Sequence, residues 1–161
     1  MIPGVNRLSI EYLEDRPEVV PTVASWVWQE WGFASVEACA GHLVESHRGG
    51  LPSRFVGLKA GDPVGIVNLI ECNLPPRCHL TPWLAGLFVH ADHRGRGVGT
   101  ALTRFREAEA AALGVRMLYL YTERAEGFYQ RLGWTTLESL EWEGEPVAVM
   151  SRELRANAQD S

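Results

Sequence analysis

A glycine- and arginine-rich segment near the middle of the chain has the composition of an anion-binding loop. It reads Arg94-Gly95-Arg96-Gly97-Val98-Gly99-Thr100 and connects a predicted strand to a predicted helix. The first amides of a helix have no intrahelical partner, and the aligned peptide dipoles place about half a positive charge there. Glycines let the backbone wrap closely around an anion, and arginines add charge-assisted hydrogen bonds. The segment therefore predicts a phosphate or pyrophosphate site at the start of this helix.

Three phosphate-binding patterns can be compared with this loop. A P-loop needs a lysine before its final Ser or Thr, but Gly99 stands before Thr100. A dinucleotide-binding loop needs a third glycine where this chain has Thr100, and it follows the first strand of its domain, which lies far upstream here. The pattern R-x-x-G-x-G is complete, with Arg94, Gly97 and Gly99.

A second motif follows in the segment from Thr122 to Trp134, which contains Phe128-Tyr129 and Gly133-Trp134. It is similar to N-x-x-A-x-x-F-Y-x-x-x-G-F, with Thr122 in place of the asparagine and Trp134 in place of the last phenylalanine. Together with R-x-x-G-x-G after a strand ending in L-x-V, it resembles the GNAT superfamily of N-acetyltransferases. The resemblance is specific between Trp83 and Trp134.

This resemblance implies a co-substrate and a reaction. The acyl donor is expected to be acetyl-CoA, without a metal ion, and the acceptor a small-molecule or peptide amine that attacks the thioester directly. The diphosphate is expected on Arg94–Thr100. The pantetheine is expected along the fourth strand at Leu87, Phe88 and Val89, whose backbone polarises the thioester carbonyl. Further cofactor contacts are expected from Thr122 and Phe128.

Tyr129 occupies the position of the tyrosine that protonates the leaving thiolate in many members of the family. A phenol has a reference pKa of about 10, so it is protonated near neutral pH and suited to donate. The alternative is that Tyr129 only packs against the cofactor or donates a hydrogen bond to its sulfur.

The general base is expected to be a carboxylate or a water molecule. Family members often carry glutamate on the fourth strand, but Trp83–Val89 contains no acidic residue. Glu71, near the end of the third strand, is the best candidate, and an ordinary solvated Glu71 is the alternative. The further candidates are His79, Glu123 and Asp92.

Tryptophans predict where the acceptor binds. Trp28 and Trp31 are i,i+3 neighbours in the first predicted helix, and Trp83 lies on the fourth strand. An aromatic wall attracts a cationic amine by about 0.5–2 kcal/mol per contact. The alternative is that most of these tryptophans belong to the core.

The predicted elements alternate in the order β-α-α-β-β-β-α-β-α-β-β. Gly86 inside the fourth strand marks a bulge, a close ligand approach, or a glycine fitted under a bulky neighbour. The expected fold is α/β (α+β): a GNAT-like, mostly antiparallel sheet of six to seven strands with about four helices, splayed at strands four and five. The predicted segments are Leu8–Leu13, a helix from Asp15–Pro17 to Trp31, a helix from Ser35 to about His47, Arg54–Ala60, Pro63–Cys72, Trp83–Val89, a helix over Gly97–Leu113, Met117–Tyr121, a helix over Glu126–Leu132, Trp134–Trp142 and Val147–Arg152.

Length and charge exclude several classes of function. The chain has 161 residues and a formal net charge of −5. This predicts a single domain over 1–154 with a flexible tail over 155–161. The acidic balance argues against a nucleic-acid partner. No signal peptide and no run of about 18 apolar residues is visible, which predicts no membrane partner.

Cysteine usage predicts a reduced, cytoplasmic protein. Cys39, Cys72 and Cys78 form no Cys-x-x-Cys pair, and no histidine cluster has zinc spacing. The resemblance is also compatible with a homodimer.

Two functions compete with an N-acetyltransferase. A non-catalytic module that senses acyl-CoA would keep the Arg94–Gly99 loop but would not need Tyr129. A nucleotide-binding regulatory protein would use the same loop for a different phosphate ligand. The presence of Tyr129 favours the enzyme.

Overall fold

The computed structural model describes residues 7–155, and its elements follow the predicted order. The strands are β1 (Leu8–Tyr12), β2 (Ser53–Lys59), β3 (Asp62–Ile70), β4 (Trp83–Val89), β5 (Met117–Thr122), β6 (Thr135–Trp142) and β7 (Glu145–Glu153). The helices are α1 (Val20–Trp31), α2 (Val36–Leu43), α3 (Val98–Ala112) and α4 (Glu126–Arg131). Short 3-10 turns occupy Leu13–Asp15, Pro17–Val19, Pro75–Arg77 and Ala91–His93.

The seven strands are hydrogen-bonded in the order β1-β2-β3-β4-β5-β7-β6. The β1–β2, β2–β3, β5–β7 and β6–β7 pairs are antiparallel, and β4–β5 is parallel. β4 and β5 are paired at Trp83, the first residue of β4, and Tyr119. The predicted mixed, mostly antiparallel sheet with its splay at strands four and five is confirmed.

The described chain clusters into two compact units. The first holds the residues up to Leu69 together with Gly86–Arg106, and the second holds Ile70–Ala85 and the residues from Glu107 onward. The single domain over 1–154 stays a prediction. The tail predicted over 155–161 lies outside the described residues, apart from Arg155.

The core of the first unit is built from the apolar face of α1. Val23, Ala24 and Val27 recur at helical spacing and are buried against Ile66 of β3. The helix ends at Gly32, whose φ of 78° is a conformation that residues with a Cβ rarely adopt. Other buried members of this cluster are Leu13, Val19, Val20, Cys39, Leu43, Val56 and Leu58.

The second helix is shorter than its sequence predicts. Ser35 is the N-cap, as expected, and accepts a hydrogen bond from the Ala38 amide at 3.0 Å. The helix ends at Leu43, so its predicted extension to about His47 is wrong. The Arg54 guanidinium donates to the carbonyls of His42 (3.3 Å) and Glu45 (3.2 Å). The His42 carbonyl is an acceptor that another helical turn would have used.

The β2–β3 hairpin turns at Ala60 and Gly61, one residue before the gap between the predicted strands Arg54–Ala60 and Pro63–Cys72. Ala60 and Gly61 have φ values of 53° and 83°, which is the signature of a type I′ turn. Further along the hairpin, Gly57 and Gly65 are cross-strand partners. The Leu102 side chain of α3 lies close over both glycines. Two strands without side chains at these positions let α3 pack directly on the sheet.

The second unit has its own apolar cluster, formed by Leu74, Trp83 and Val149. A buried polar network supplements it. The Trp134 Nε1 donates to the Glu107 carboxylate at 3.0 Å, and the Arg152 guanidinium lies 3.7 Å from the same carboxylate. The indole N–H is hydrogen-bonded to the carboxylate and the guanidinium balances its charge, so removing the arginine would leave a buried charge uncompensated.

Two cysteines of the second unit form a disulfide, contrary to the prediction of reduced cysteines. Cys72 and Cys78 flank the short turn at Pro75–Arg77, which brings their Cα atoms to 5.2 Å. This separation is ordinary for a disulfide. Cys39 is the free, buried cysteine of the described chain.

A cytoplasmic location and a homodimer both stay predictions. None of the helices over residues 7–155 has the length and apolarity to cross a membrane.

Candidate active site

The predicted anion-binding loop is an open turn that leads into α3. Gly95 and Gly97 have φ values of 75° and 82°, and no atom lies within 4 Å of where a Cβ would stand on either. Regular helix begins at Val98, and the Ala101 amide bonds back to the Gly97 carbonyl at 3.0 Å. The amides of Val98, Gly99 and Thr100 therefore precede that bond, in the part of a helix where donors are available to an anion.

The Arg94 side chain is folded back onto the end of β4. Its Nε donates to the Val89 carbonyl at 2.9 Å, and its guanidinium lies 5.4 Å from the centre of the Phe88 ring. This fixes the position of the positive charge beside the strand end and leaves the terminal nitrogens for further bonds. Arg96 is exposed to solvent in the same turn.

The fourth strand is irregular where the pantetheine is expected. Gly86 has a φ of 62°, and a Cβ added there would stand 2.5 Å from the Asn68 Nδ2. The glycine is thus fitted under a neighbouring side chain in a conformation that suits glycine. Leu87, Phe88 and Val89 follow it and are half-buried.

An aromatic group lies beside the end of β4 in the first unit. The Trp26 ring is 5.9 Å from the Phe88 ring and 5.1 Å from His90, and the Trp31 ring is 6.1 Å from Phe88. Trp31 is 51% exposed and Trp28 is 41% exposed. Both helix tryptophans therefore offer surface to a ligand.

Trp83 does not offer such a surface. Its side chain is fully buried in the core of the second unit, and its Nε1 donates to the Leu80 carbonyl at 2.5 Å. The prediction that Trp83 belongs to the acceptor wall is wrong, because its side chain is part of the apolar cluster with Leu74 and Val149.

Tyr129 lies on α4 in the second unit. It is 7% exposed, and its ring contacts Phe128 (5.0 Å between centres) and Trp134 (5.9 Å). Burial raises the pKa of this phenol above its ordinary value. The hydroxyl is therefore protonated across the neutral and mildly alkaline range and is able to donate a hydrogen bond.

Thr122 shapes the turn before α4. Its hydroxyl oxygen accepts a hydrogen bond from the Ala125 amide at 2.9 Å, which orders the connection between β5 and the helix. The hydroxyl hydrogen stays able to donate to a second partner. The motif glycine has a structural role too, since the Arg152 guanidinium passes over Gly133 where a Cβ would stand.

A sequence model of the acetyltransferase (GNAT) family matches residues 6–134, which is most of the chain. The chain belongs to this family. No curated protein sequence matches it.

Solved structures show the same fold at low sequence identity. An aminoglycoside 6'-N-acetyltransferase complexed with coenzyme A is 16% identical, with a TM-score of 0.76 and coverage of 92% of this chain and 98% of that one. The putative acetyltransferase yncA from Salmonella typhimurium, with its cofactor acetyl-CoA, is 15% identical, with a TM-score of 0.71 and coverage of 94% and 96%. A chimera of a spermidine N-acetyltransferase from Vibrio cholerae is 18% identical, with a TM-score of 0.71 and coverage of 91% and 95%.

The candidate bases of this GNAT chain are all solvent-exposed. Glu71 follows the end of β3 directly, and its carbonyl accepts from the Thr81 hydroxyl at 2.7 Å. His79 and Glu123 are exposed in the second unit, and Asp92 is exposed in the first, 3.6 Å from His90 Nδ1. Exposed carboxylates are suited to exchange protons with water, so a base relayed by solvent is compatible with all four positions. Within residues 7–155, no cluster of three metal-ligating side chains occurs.

Asn68 is a buried polar residue beside β4 that the sequence analysis did not single out. It lies on β3 next to Gly86 of β4, and it is 7% exposed. The available signal was a polar residue within the apolar run of β3, combined with a glycine inside β4.

Proposed function

We propose that this chain transfers an acetyl group from acetyl-CoA to a primary amine. The observation that carries the proposal is the open glycine turn at the N-terminus of α3, directly after β4. GNAT membership and the coenzyme A named in the solved structures support this donor.

The loop is assigned to the diphosphate. The donors are the amides of Val98, Gly99 and Thr100, assisted by Arg94 and Arg96. An exposed turn with two glycines of positive φ leaves room for phosphate oxygens against the backbone. The Arg94 contact with Val89 also couples the phosphate-binding charge to the strand assigned to the pantetheine.

Acetyl-CoA supplies an activated acyl group as a thioester. In the transfer, the amine nitrogen forms a bond to the acyl carbon, the carbon–sulfur bond breaks, and one proton leaves the nitrogen. The β4 backbone at Leu87, Phe88 and Val89 is assigned to hold the carbonyl, and one such preorganised donor contributes roughly 3–4 kcal/mol in other enzymes. Tyr129 is assigned to donate its hydroxyl proton, or a hydrogen bond, toward the leaving sulfur.

The acceptor is assigned to the aromatic surface of Trp28 and Trp31 beside Phe88. The names of similar structures include an aminoglycoside and spermidine as acceptors, which are amines that carry positive charge. Exposed indole faces attract such cations, and the acidic balance of the chain adds to the attraction.

An acceptor screen tests the proposal directly. Purified protein is mixed with acetyl-CoA and a panel of polyamines, aminoglycosides, amino-terminal peptides and lysine peptides, and free thiol is measured. Amine-dependent thiol release is expected. Calorimetry against acetyl-CoA, ATP and NAD runs alongside. Tight binding of acetyl-CoA without thiol release would favour an acyl-CoA-sensing module, and preference for ATP or NAD would reject the loop assignment.

Replacing Arg96 with glutamine should weaken acetyl-CoA binding by about tenfold, because one charge-assisted contact to phosphate is lost. The melting temperature should be unchanged, since the side chain is exposed. Calorimetry in low and high salt measures the effect, which should shrink as salt rises. Arg116→Gln, also at an exposed arginine, is the control and should bind like the wild type. Equal affinity of R96Q and wild type would contradict the phosphate role.

Glu71→Gln should remove or shift the acidic limb of the kcat/KM profile if Glu71 takes the proton from the amine. A base must be deprotonated to act, so the rate falls as pH falls, and glutamine cannot accept the proton. The amine's own titration affects both proteins equally when the same acceptor is used. The pH–rate profile of each is the measurement, with Glu145→Gln as the matched control, since Glu145 is exposed and is not a candidate base. An unchanged acidic limb in E71Q shows that Glu71 is not the base.

A further inference from the structure

Asn68 carries a buried hydrogen-bond acceptor that the protein does not use. Its side-chain Oδ1 is inaccessible to solvent and has no hydrogen-bond partner in the described structure, and the residue is 7% exposed. Buried amide oxygens are nearly always paired, because leaving one unpaired destabilises the fold. An unpaired buried oxygen such as this one points to a partner that binds from outside the protein.

The position of Asn68 is set by β4. A Cβ at Gly86 would stand 2.5 Å from the Asn68 Nδ2, so the amide group lies directly against the backbone of this glycine. The φ of 62° at Gly86 marks the irregularity in the strand at the same point. Any other residue at 86 would push the amide away from the strand.

Protein groups on the same face do not satisfy the oxygen. Arg54 is the cross-strand partner of Asn68, but its guanidinium donates to the carbonyls of His42 and Glu45. The next pair on this face, Val56 and Ile66, belongs to the apolar core. A hydrogen bond made in such an apolar setting is stronger than one made in water.

The direction of β4 indicates which part of a ligand reaches Asn68. The loop assigned to the diphosphate follows the carboxyl end of β4, so the pantetheine runs back along the strand from Val89 toward Leu87. Gly86 precedes Leu87 on β4, so the thioester end of the pantetheine is expected beside Gly86. The thioester has no N–H of its own, whereas the attacking amine brings N–H donors to this point.

We propose that the Asn68 Oδ1 accepts a hydrogen bond from the attacking amine and so selects primary amines; this rests on the proposed function. A primary amine has two N–H bonds. One proton leaves as the carbon–nitrogen bond forms and the carbon–sulfur bond breaks, and the other stays on the product amide and keeps its bond to Asn68. A secondary amine has one N–H, which must leave, so it offers none to Asn68. The asparagine takes no proton in this step.

The test compares a primary amine with its N-methyl analogue, using an acceptor found in the screen. In the wild type, kcat/KM should favour the primary amine. Leucine has a volume similar to that of asparagine but no hydrogen-bond acceptor. In the Asn68→Leu variant, kcat/KM for the primary amine should therefore fall about tenfold. The ratio of kcat/KM for the primary amine to that for its N-methyl analogue should fall by the same factor. Asn68→Asp keeps an acceptor oxygen and should recover part of the preference.

Ligand-free melting and acetyl-CoA affinity separate a ligand role from a structural one. Asn68→Leu should melt no lower than the wild type, because it removes an unpaired buried oxygen. Ser53→Ala is the control, since the Ser53 hydroxyl is buried and accepts a hydrogen bond from Arg106. The S53A protein should melt at a lower temperature and keep the wild-type preference for the primary amine.

Weaker acetyl-CoA binding by N68L with an unchanged amine preference would assign the oxygen to the pantetheine and overturn the proposal. A lower melting temperature with unchanged preference would overturn it too. A wild type that transfers to no amine rejects the proposed function itself.

Discussion

Replacing Tyr129 with phenylalanine should lower the turnover number by about 10- to 1000-fold. The change removes one hydroxyl and keeps the ring, so the contacts with Phe128 and Trp134 persist and the fold is retained. What is lost is the donor toward the leaving sulfur. Binding of acetyl-CoA should change little, because the donor becomes important only as negative charge develops on the sulfur.

The buried setting of Tyr129 determines how the rate depends on pH. Burial raises the pKa of the phenol, so the neutral form that can donate persists above the pH at which an ordinary tyrosine ionises. Ionisation of Tyr129 should therefore not limit the rate near pH 10. A thiolate with a reference pKa of about 8.5 is a weaker base than this tyrosinate, so strengthening of the hydrogen bond to sulfur is favoured over complete proton transfer.

Single-turnover acetylation at saturating acetyl-CoA and acceptor is the decisive measurement, since it isolates chemistry from product release. Tyr12→Phe is the matched control, because that tyrosine packs on Phe55 in the other unit and should keep wild-type turnover. If Y129F acetylates its acceptor in a single turnover as fast as the wild type, the tyrosine has no part in the chemistry.

The open turn before α3 could be predicted because its information is local. Glycines, arginines and the following apolar periodicity together specify a turn and a helix start, and the structure has the helix beginning at Val98, one residue after the predicted Gly97. Ser35 was predictable as an N-cap for the same reason. Capping and turn chemistry act over a few residues, so the chain shows them directly.

Features that depend on distant partners were not predictable. The early end of α2 follows from Arg54 on another strand, and the disulfide from a turn that brings Cys72 to Cys78. Trp83 looks like Trp31 in the sequence, but strand register buries the first and leaves the second exposed. The unpaired oxygen of Asn68 becomes visible only when every neighbour on its face is known.

Replacing Gly65 with alanine should destabilise the protein by about 1–3 kcal/mol and weaken acetyl-CoA binding. The new Cβ would stand 2.8 Å from the Phe88 carbonyl oxygen and 2.8 Å from the Leu102 Cδ1. A leucine side chain can adjust, but the carbonyl belongs to the backbone of β4, which must move. Val98, the first residue of α3, lies 3.5 Å from the same point. Val98 is therefore in ordinary contact, and the methyl group displaces β4, the segment assigned to the pantetheine.

Gly41→Ala separates this steric effect from the general consequences of replacing glycine. Gly41 lies inside α2 with no atom within 4 Å of an added Cβ, so alanine there should stabilise the protein by roughly 0.5–1 kcal/mol.

Urea unfolding measures the stabilities of G65A and G41A, and calorimetry measures their acetyl-CoA affinity below the unfolding transition. We expect the G65A protein that remains folded to bind about tenfold more weakly, because the backbone of β4 at Phe88 is displaced from its place in the site. Wild-type affinity in folded G65A would show that the cofactor does not depend on the contact between β3 and β4 at this glycine, and the assignment of the pantetheine to Leu87–Val89 would then have to be abandoned.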